Sequence, residues 1–228
     1  YGEKEIFYFD EIQNVYGWER FVRRLHDERK KVFVTGSNAS MLSRELGTHL
    51  TGRHLEIDLF PFSFSEFLRF NKFKLDANSI YLTAKKAAIK KYFEEYLLEG
   101  GFPEYLREKN KEYLKILYEN ILYRDIIVRH NLSNEKTFKE LVYLAVTNLS
   151  KQMSFNSIKK TLNLGSSTTV KDYFDYLENS FLIFLVPKFD YSLKKQIYSN
   201  KKVYVIDNGL AMYLGFKTST DSGKLLEN

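Results

Sequence analysis

The sequence has no cysteine, three prolines, eleven glycines and four histidines in 228 residues. Without cysteine there are no structural disulfides and no thiolate metal sites, which fits a reducing cytoplasmic setting. His26, His49, His54 and His130 are scattered, and lone polar side chains describe them better than a zinc site does. The scarcity of proline and glycine excludes collagen-like and low-complexity classes. No stretch approaches the roughly 18 consecutive apolar residues of a membrane span, so no membrane role is expected. Charges at Glu3 and Lys4 argue against a signal peptide.

Aromatic residues are what the chain has in plenty: 17 Tyr and 19 Phe, within a hydrophobic fraction of 44% that can fill a core. The net charge of +6 is uneven. Residues 1–70 carry 10 basic and 11 acidic side chains, residues 71–133 carry 12 and 9, and residues 134–206 carry 11 and 6. The last stretch, 207–228, carries 2 and 3. A surplus concentrated in the middle and third segments points to a polyanion partner.

Ile6-Phe7-Tyr8-Phe9 reads as a short buried strand that stops at Asp10-Glu11. Trp18, Phe21, Val22 and Leu25 share one helical face, and Val32-Phe33-Val34 is a second apolar run. A strand–helix–strand order with a connection this long predicts parallel strands. His54 to Leu59 alternates apolar with polar and predicts a third strand, ended by Pro61. Ser63 and Glu66 have the capping-box spacing, and helical patterning then runs to His130, broken at Gly100-Gly101-Phe102-Pro103. Leu114, Leu117, Tyr118, Ile121 and Leu122 mark a buried face within it.

From Glu135 the rhythm changes. Helices are expected over Phe138 to Leu149, over Phe155 to Leu162 and after Gly165-Ser166-Ser167-Thr168, the last with Val170, Tyr173, Phe174 and Leu177 in phase. Two β-rich runs follow, Phe181 to Val186 and Lys202 to Ile206, separated by a polar, tyrosine-containing loop. Three helices and a two-stranded wing make a winged helix-turn-helix.

A hydrophobic strand followed by Asp-Glu is the Walker B pattern. Ligands of parallel sheets bind beyond the carboxyl ends of strands, which suits Asp10 to hold Mg²⁺ through water and Glu11 to orient or deprotonate an attacking water. The same residues also fit a strand ending in a solvated acidic turn. Thr35-Gly36-Ser37-Asn38 ends the neighbouring strand on the same edge, so Ser37 and Asn38 can reach a γ-phosphate, the sensor 1 role, or cap a following helix.

Phe7-Tyr8-Phe9-Asp10-Glu11-Ile12-Gln13-Asn14, Thr35-Gly36-Ser37-Asn38, Thr51-Gly52-Arg53 and Pro61-Phe62-Ser63-Phe64-Ser65-Glu66, in that order, resemble a family of prokaryotic AAA-type ATPases of largely unknown role. Gly100-Gly101-Phe102-Pro103-Glu104, Tyr123-Arg124-Asp125-Ile126, Ile206-Asp207-Asn208-Gly209-Leu210-Ala211 and Leu225-Leu226-Glu227-Asn228 resemble its C-terminal region. The resemblance implies ATP and Mg²⁺ as cofactors of a complete protein and a nuclease-like fold mostly after Asn228. It also implies that Arg53 contacts the γ-phosphate, in the manner of an arginine finger from a neighbouring subunit. A surface arginine at a strand start is the plainer account.

The chain departs from the family in one respect: it has no G-x-x-x-x-G-K-[ST] loop to cradle phosphates. Gly47-Thr48-His49-Leu50-Thr51-Gly52-Arg53-His54 has the glycine spacing, but Arg53 stands for the lysine and His54 for the hydroxyl residue. It also precedes a strand where the motif should follow one. The true loop is expected before Tyr1, and 1–228 alone is not expected to hold ATP. Glu28-Arg29-Lys30 has a nuclease-like E-x-K spacing but reads as solvated charge.

In the winged helix, Ser166, Ser167, Thr168, Lys171 and Asp172 begin the third helix, the one that would enter a major groove. Lys159 and Lys160 can touch phosphates from the preceding helix, and Lys194, Lys195, Lys201 and Lys202 from the wing. Against duplex DNA stand Asp172, Asp175 and Glu178 on that helix, and winged helices also dock proteins.

The expected architecture is α/β: a partial parallel P-loop NTPase sheet, then a helical lid, then a winged helix-turn-helix. Its boundaries are 1–70 for the ATPase part, 71–133 for the lid, 134–206 for the winged helix and 207–228 for a linker or the start of a nuclease-like domain. The alternative is a non-catalytic DNA- or protein-binding module with a degenerate ATPase part.

Overall fold

The computed structural model describes residues 4–12, 15–36, 54–76, 79, 81–215 and 222–228. The chain divides into two units, 1–59 and 60–228.

In the first unit β1 (Ile6–Phe9), α1 (Trp18–Asp27) and β2 (Lys31–Val34) follow one another. The strands pair in parallel, Ile6 opposite Lys31 and Phe9 opposite Val34, and α1 is the crossover such pairing requires. Trp18, Val22 and Leu25 are buried, one stripe of an amphipathic helix. Ile12, Trp18 and Val22 form the cluster against which Phe9, Val32 and Val34 pack. Gly17, at φ 73°, sets the turn into α1. Glu28 ends that helix and pairs on the surface with Arg24 at 4.0 Å.

The third strand expected at His54 to Leu59 is not there. Leu55, Ile57 and Leu59 are 95%, 85% and 96% exposed, and among the described residues no ladder partner lies beside them. Alternation makes a strand only where a neighbour takes up its backbone groups.

The second unit begins with α2 (Phe64–Phe70), started by Ser63. Both halves of the capping box form: the Glu66 amide donates to the Ser63 hydroxyl, and the Ser63 amide donates to the Glu66 carboxylate at 2.9 Å. Phe67 and Leu68 are fully buried, Phe67 against Tyr92 and Tyr96 of α3 (Thr83–Glu99). Residues 60–70 therefore pack with the second unit. Next come α4 (Pro103–Glu108), which carries proline in its first turn, α5 (Lys111–Asn120) and a π-helical stretch, Ile121–Val128.

Then follow α6 (Glu135–Thr147), β3 (Gln152–Met153), α7 (Phe155–Thr161), α8 (Ser167–Asn179), β4 (Ile183–Pro187), α9 (Leu193–Tyr198) and β5 (Lys201–Val205). β5 lies between β3 and β4 and is antiparallel to both, with Ile183 opposite Val205 and Gln152 opposite Lys202. The stretch between the two longer strands, expected as loop, contains α9, whose cap is the Ser192 hydroxyl accepting from the Lys195 amide. The unit closes with α10 (Asn208–Leu214) and α11 (Ser222–Glu227).

One hydrophobic cluster joins most of these elements, though no residue of α2 or α9 belongs to it. It includes Tyr105, Leu114 and Leu122, then Phe138, Phe174 and Leu177, then Leu210, Ala211 and Leu225. The stretches expected as lid, winged helix and linker thus contribute to a common core. Among the described residues no helix is long and apolar enough to cross a membrane.

Candidate functional site

The parallel pairing brings the carboxyl ends of β1 and β2 side by side. The Thr35 amide donates to the Phe9 carbonyl at 2.9 Å, and the Ile12 amide donates to the Thr35 carbonyl at 3.2 Å. The Thr35 hydroxyl donates to the Asp10 carboxylate and accepts from the Glu11 amide. Glu11 sits at φ 49°, a left-handed conformation that side chains other than glycine adopt at some cost. Asp10, Glu11 and Thr35 therefore share one edge, at the place where open α/β sheets take ligands. Ser37, Asn38 and Arg53, the other sequence candidates, lie outside the described residues. From sequence Thr35 is only the first residue of their run; its direct hold on Asp10, 25 residues away, carries no local sequence signal.

A second set of residues comes together in the other unit. Asp207 caps α10 by accepting from the Leu210 amide at 3.0 Å, and its other carboxylate oxygen accepts from the Gly101 amide at 2.6 Å. It is 6% exposed, and burial pushes its carboxyl up to about 6 against the lowering effect of these amides. Gly100, at φ 72°, has no room for a side chain, because a Cβ there would lie 2.1 Å from the Asp207 carboxylate. Gly101 is equally confined, since its Cβ would lie 2.2 Å from the Phe62 carbonyl oxygen. The Phe62 amide in turn donates to the Gly101 carbonyl at 2.8 Å, and the Tyr96 hydroxyl donates to the Phe62 carbonyl at 2.8 Å. Pro61-Phe62, Gly100-Gly101 and Asp207 thus interlock. The sequence signal was an aspartate before Asn208-Gly209 and a Gly-Gly pair ahead of a proline-started helix.

The π-helical stretch, read from sequence as ordinary helix, carries Tyr123-Arg124-Asp125. Asp125 is 3% exposed and pairs with Arg124 at 3.1 Å and Arg129 at 3.8 Å. His130 stacks on Tyr176 of α8 at 3.7 Å, and burial lowers its pKa.

The basic candidates divide into two groups. Lys160, Thr168, Lys171, Lys194 and Lys195 are exposed and Lys159 half-buried; Lys194 and Lys195 stand on α9 instead of on a strand. Lys202 is paired with Glu227, which also accepts from the Tyr204 hydroxyl at 3.1 Å. That pairing raises the lysine's pKa and lowers the carboxyl's, so the charge of Lys202 is internally matched. Lys201 donates to the Gln196 carbonyl at 2.6 Å. On α8 the Ser166 hydroxyl is occupied as the cap, accepting from the Thr168 amide at 3.0 Å. Glu178 accepts from the Leu185 amide at 2.8 Å, and burial raises its pKa. One of the three acids on that helix is thereby turned toward β4.

Residues 1–68 match the AAA domain family, which supports an AAA-type, P-loop ATPase-like domain there. An uncharacterized protein of Methanocaldococcus jannaschii, MJ1544, is 38% identical over 97% of this chain and 51% of its own length. An uncharacterized protein of Haemophilus influenzae is 32% identical over 99% of this chain and 56% of its own length. The chain spans about half the length of these curated relatives. No solved structure matches it significantly. Residues 90–221, more than half of the chain, match the family described as Domain of unknown function (DUF8612), and the chain belongs to that family.

Proposed function

We propose that the chain forms the sheet edge and the effector unit of an ATP-hydrolysing AAA-type protein, and that the effector binds duplex DNA through a winged helix-turn-helix. The observation that carries the nucleotide half is the common position of Asp10, Glu11 and Thr35 at the carboxyl ends of adjacent parallel strands. In this reading Asp10 holds Mg²⁺ through water while its carboxylate is oriented by the Thr35 hydroxyl. One carboxylate suits Mg²⁺, which takes few protein ligands and completes its shell with phosphate oxygens and water. When bound, the ion offsets phosphate charge. Glu11 orients or deprotonates the attacking water, Ser37 and Asn38 face the γ-phosphate, and Arg53 reaches it from a neighbouring subunit. The phosphate-cradling loop is supplied by sequence outside 1–228.

The DNA half is supported by the order helix, strand, helix, helix, strand, helix, strand over residues 135–205, in which α8 takes the recognition position of this reading. Thr168 and Lys171 lie near its start, Lys159 and Lys160 on the helix before it, and Lys194 and Lys195 on the excursion between the strands. In domain terms, 71–133 acts as a helical lid and 134–206 as the winged helix.

Two experiments test the reading. In the full-length protein, Glu11→Gln is expected to retain nucleotide binding and lose turnover, and Asp10→Ala to lose the Mg²⁺-dependent part of binding. Unchanged hydrolysis in Glu11→Gln removes Glu11 from the chemistry. For DNA, fluorescence anisotropy should show affinity falling by roughly 0.9 log unit per log unit of salt for each phosphate neutralised. Lys→Glu at Lys159, Lys160 and Lys171 should weaken all sequences alike. Flat, weak binding in both proteins leaves a non-catalytic docking module as the better account.

A further inference from the structure

The excursion between β4 and β5 exposes planar rings that its own fold does not use. Phe189, Tyr191 and Tyr198 are 74%, 98% and 78% exposed. Phe189 and Tyr191 meet edge to face at 5.4 Å, outside the hydrophobic cluster of the unit. The segment is held by polar bonds instead. The Gln196 side-chain amide donates to the Asp190 carbonyl at 2.5 Å, and Lys201 donates to the Gln196 carbonyl at 2.6 Å. The Ser192 amide donates to the Asp190 carboxylate at 2.9 Å, which fixes the one acid in the segment. Large apolar surface left in water on a segment stiffened by other means marks a contact site better than a core position.

Lysines outnumber the one acid, Asp190, around the rings. Lys188, Lys194 and Lys195 are exposed, and no ion pair engages them among the described residues. Rings with uncompensated cations between them suit an unpaired strand, whose bases stack on aromatic faces while its phosphates meet lysines. A base-paired duplex keeps its base faces stacked on one another and offers none to a ring. An apolar protein partner would use the rings and leave the lysines without a role.

From the juxtaposition of Phe189, Tyr191 and Tyr198 with Lys188, Lys194 and Lys195, we infer that the β4–β5 excursion is a stacking surface for single-stranded nucleic acid. The inference rests on the nucleic-acid reading of the second unit and adds an unpaired-strand site to its duplex site.

The test is anisotropy of the 228-residue chain with labelled oligo-dT and with a duplex of equal length. Wild type is compared with Phe189→Ala/Tyr191→Ala/Tyr198→Ala and with Lys188→Gln/Lys194→Gln/Lys195→Gln. The ring variant should lose at least about ten-fold in affinity for the single strand, while its duplex affinity changes less than about two-fold. The lysine variant should show a shallower salt dependence on the single strand. Because the rings lie outside the core, circular dichroism of the ring variant should match wild type. A ring variant that binds oligo-dT as tightly as wild type overturns the inference, whatever else it loses, including self-association or vesicle binding. A wild type that binds duplex and not oligo-dT also overturns it, and leaves the duplex reading standing. Binding to neither ligand defeats both.

Discussion

In the first unit the described core is Ile12, Trp18 and Val22, and both strands alternate half-buried with exposed residues, leaving Tyr8 and Phe33 stacked on one another at 5.0 Å. In the second, one apolar cluster runs from Tyr105 to Leu225 and includes Phe138, Phe174 and Leu177 with no exposure at all. Among the described residues, those with candidate nucleotide chemistry thus sit on the thinner of the two cores. Their geometry depends on a few polar contacts, chiefly those of Thr35, whereas position in the second unit is set by packing. Stability and chemistry should therefore respond to different substitutions.

The largest expected effect is in the thicker core. Phe174→Ala removes a fully buried ring that packs on Phe155 at 5.3 Å, and should cost about 3–5 kcal/mol. Trp18, the one tryptophan of the chain, reports on the first unit by fluorescence, while far-ultraviolet circular dichroism follows the helix-rich second. In urea the dichroism midpoint of Phe174→Ala should fall and the Trp18 midpoint stay. If both move together, the two cores are not independent and the contrast fails.

Asp207 sharpens the comparison through pH. Its folded carboxyl titrates near pH 6, above its ordinary value, so the native state holds a proton the unfolded chain has released. That contribution to stability is full below the ordinary carboxylate range and is lost as pH rises to about 6. The size is on the order of 2–3 kcal/mol. Asp207→Asn cannot titrate and sets an amide group against the Gly101 amide, so it should be less stable than wild type by about 1–3 kcal/mol at low pH. The gap between the two proteins, read from dichroism midpoints in urea, should narrow as pH rises from 4 to 7. A gap independent of pH would falsify the burial of an ionisable Asp207.

The smallest stability effect belongs to Thr35→Val, at about 0.5–1.5 kcal/mol for the lost hydroxyl bonds to Asp10 and Glu11. It should shift the Trp18 transition slightly and leave the dichroism transition alone. In the full-length protein it should reduce Mg²⁺-dependent ATP turnover by far more than the stability change accounts for. Equal, small effects on both would return Thr35 to a purely structural role.

Much of the first unit was legible because its signals are local. The apolar runs at Ile6 and Val32 and the stripe from Trp18 to Leu25 each lie within a few residues of one another, as do Asp10 and Glu11. The capping box at Ser63 is local in the same sense. His54 to Leu59 misled because alternation says nothing about whether a partner strand exists. The helix Leu193–Tyr198 escaped because its residues are polar with one apolar residue in each turn, and its only signal is the Ser192 cap. The π-helical register at Ile121 depends on hydrogen bonds that side-chain periodicity does not report. Thr35's hold on Asp10 spans 25 residues and the Gly101–Asp207 bond spans 106, and neither pairing follows from spacing.

That second distance also carries a consequence for biosynthesis. The turn at Gly100-Gly101 receives its carboxylate from a residue translated 106 positions later. At ordinary elongation rates the wait is roughly 5–20 s, far longer than a helix needs to form. During that interval the segments from α2 through β5 exist on the ribosome without the Asp207 carboxylate at Gly101, and the cluster that includes Tyr105 lacks Leu210, Ala211 and Leu225. The nascent chain is then most exposed to aggregation or chaperone capture between the emergence of α3 and that of Asp207. A stop codon placed just before Asp207 would leave α2 through β5 encoded, remove α10 and α11, and leave the second unit unclosed.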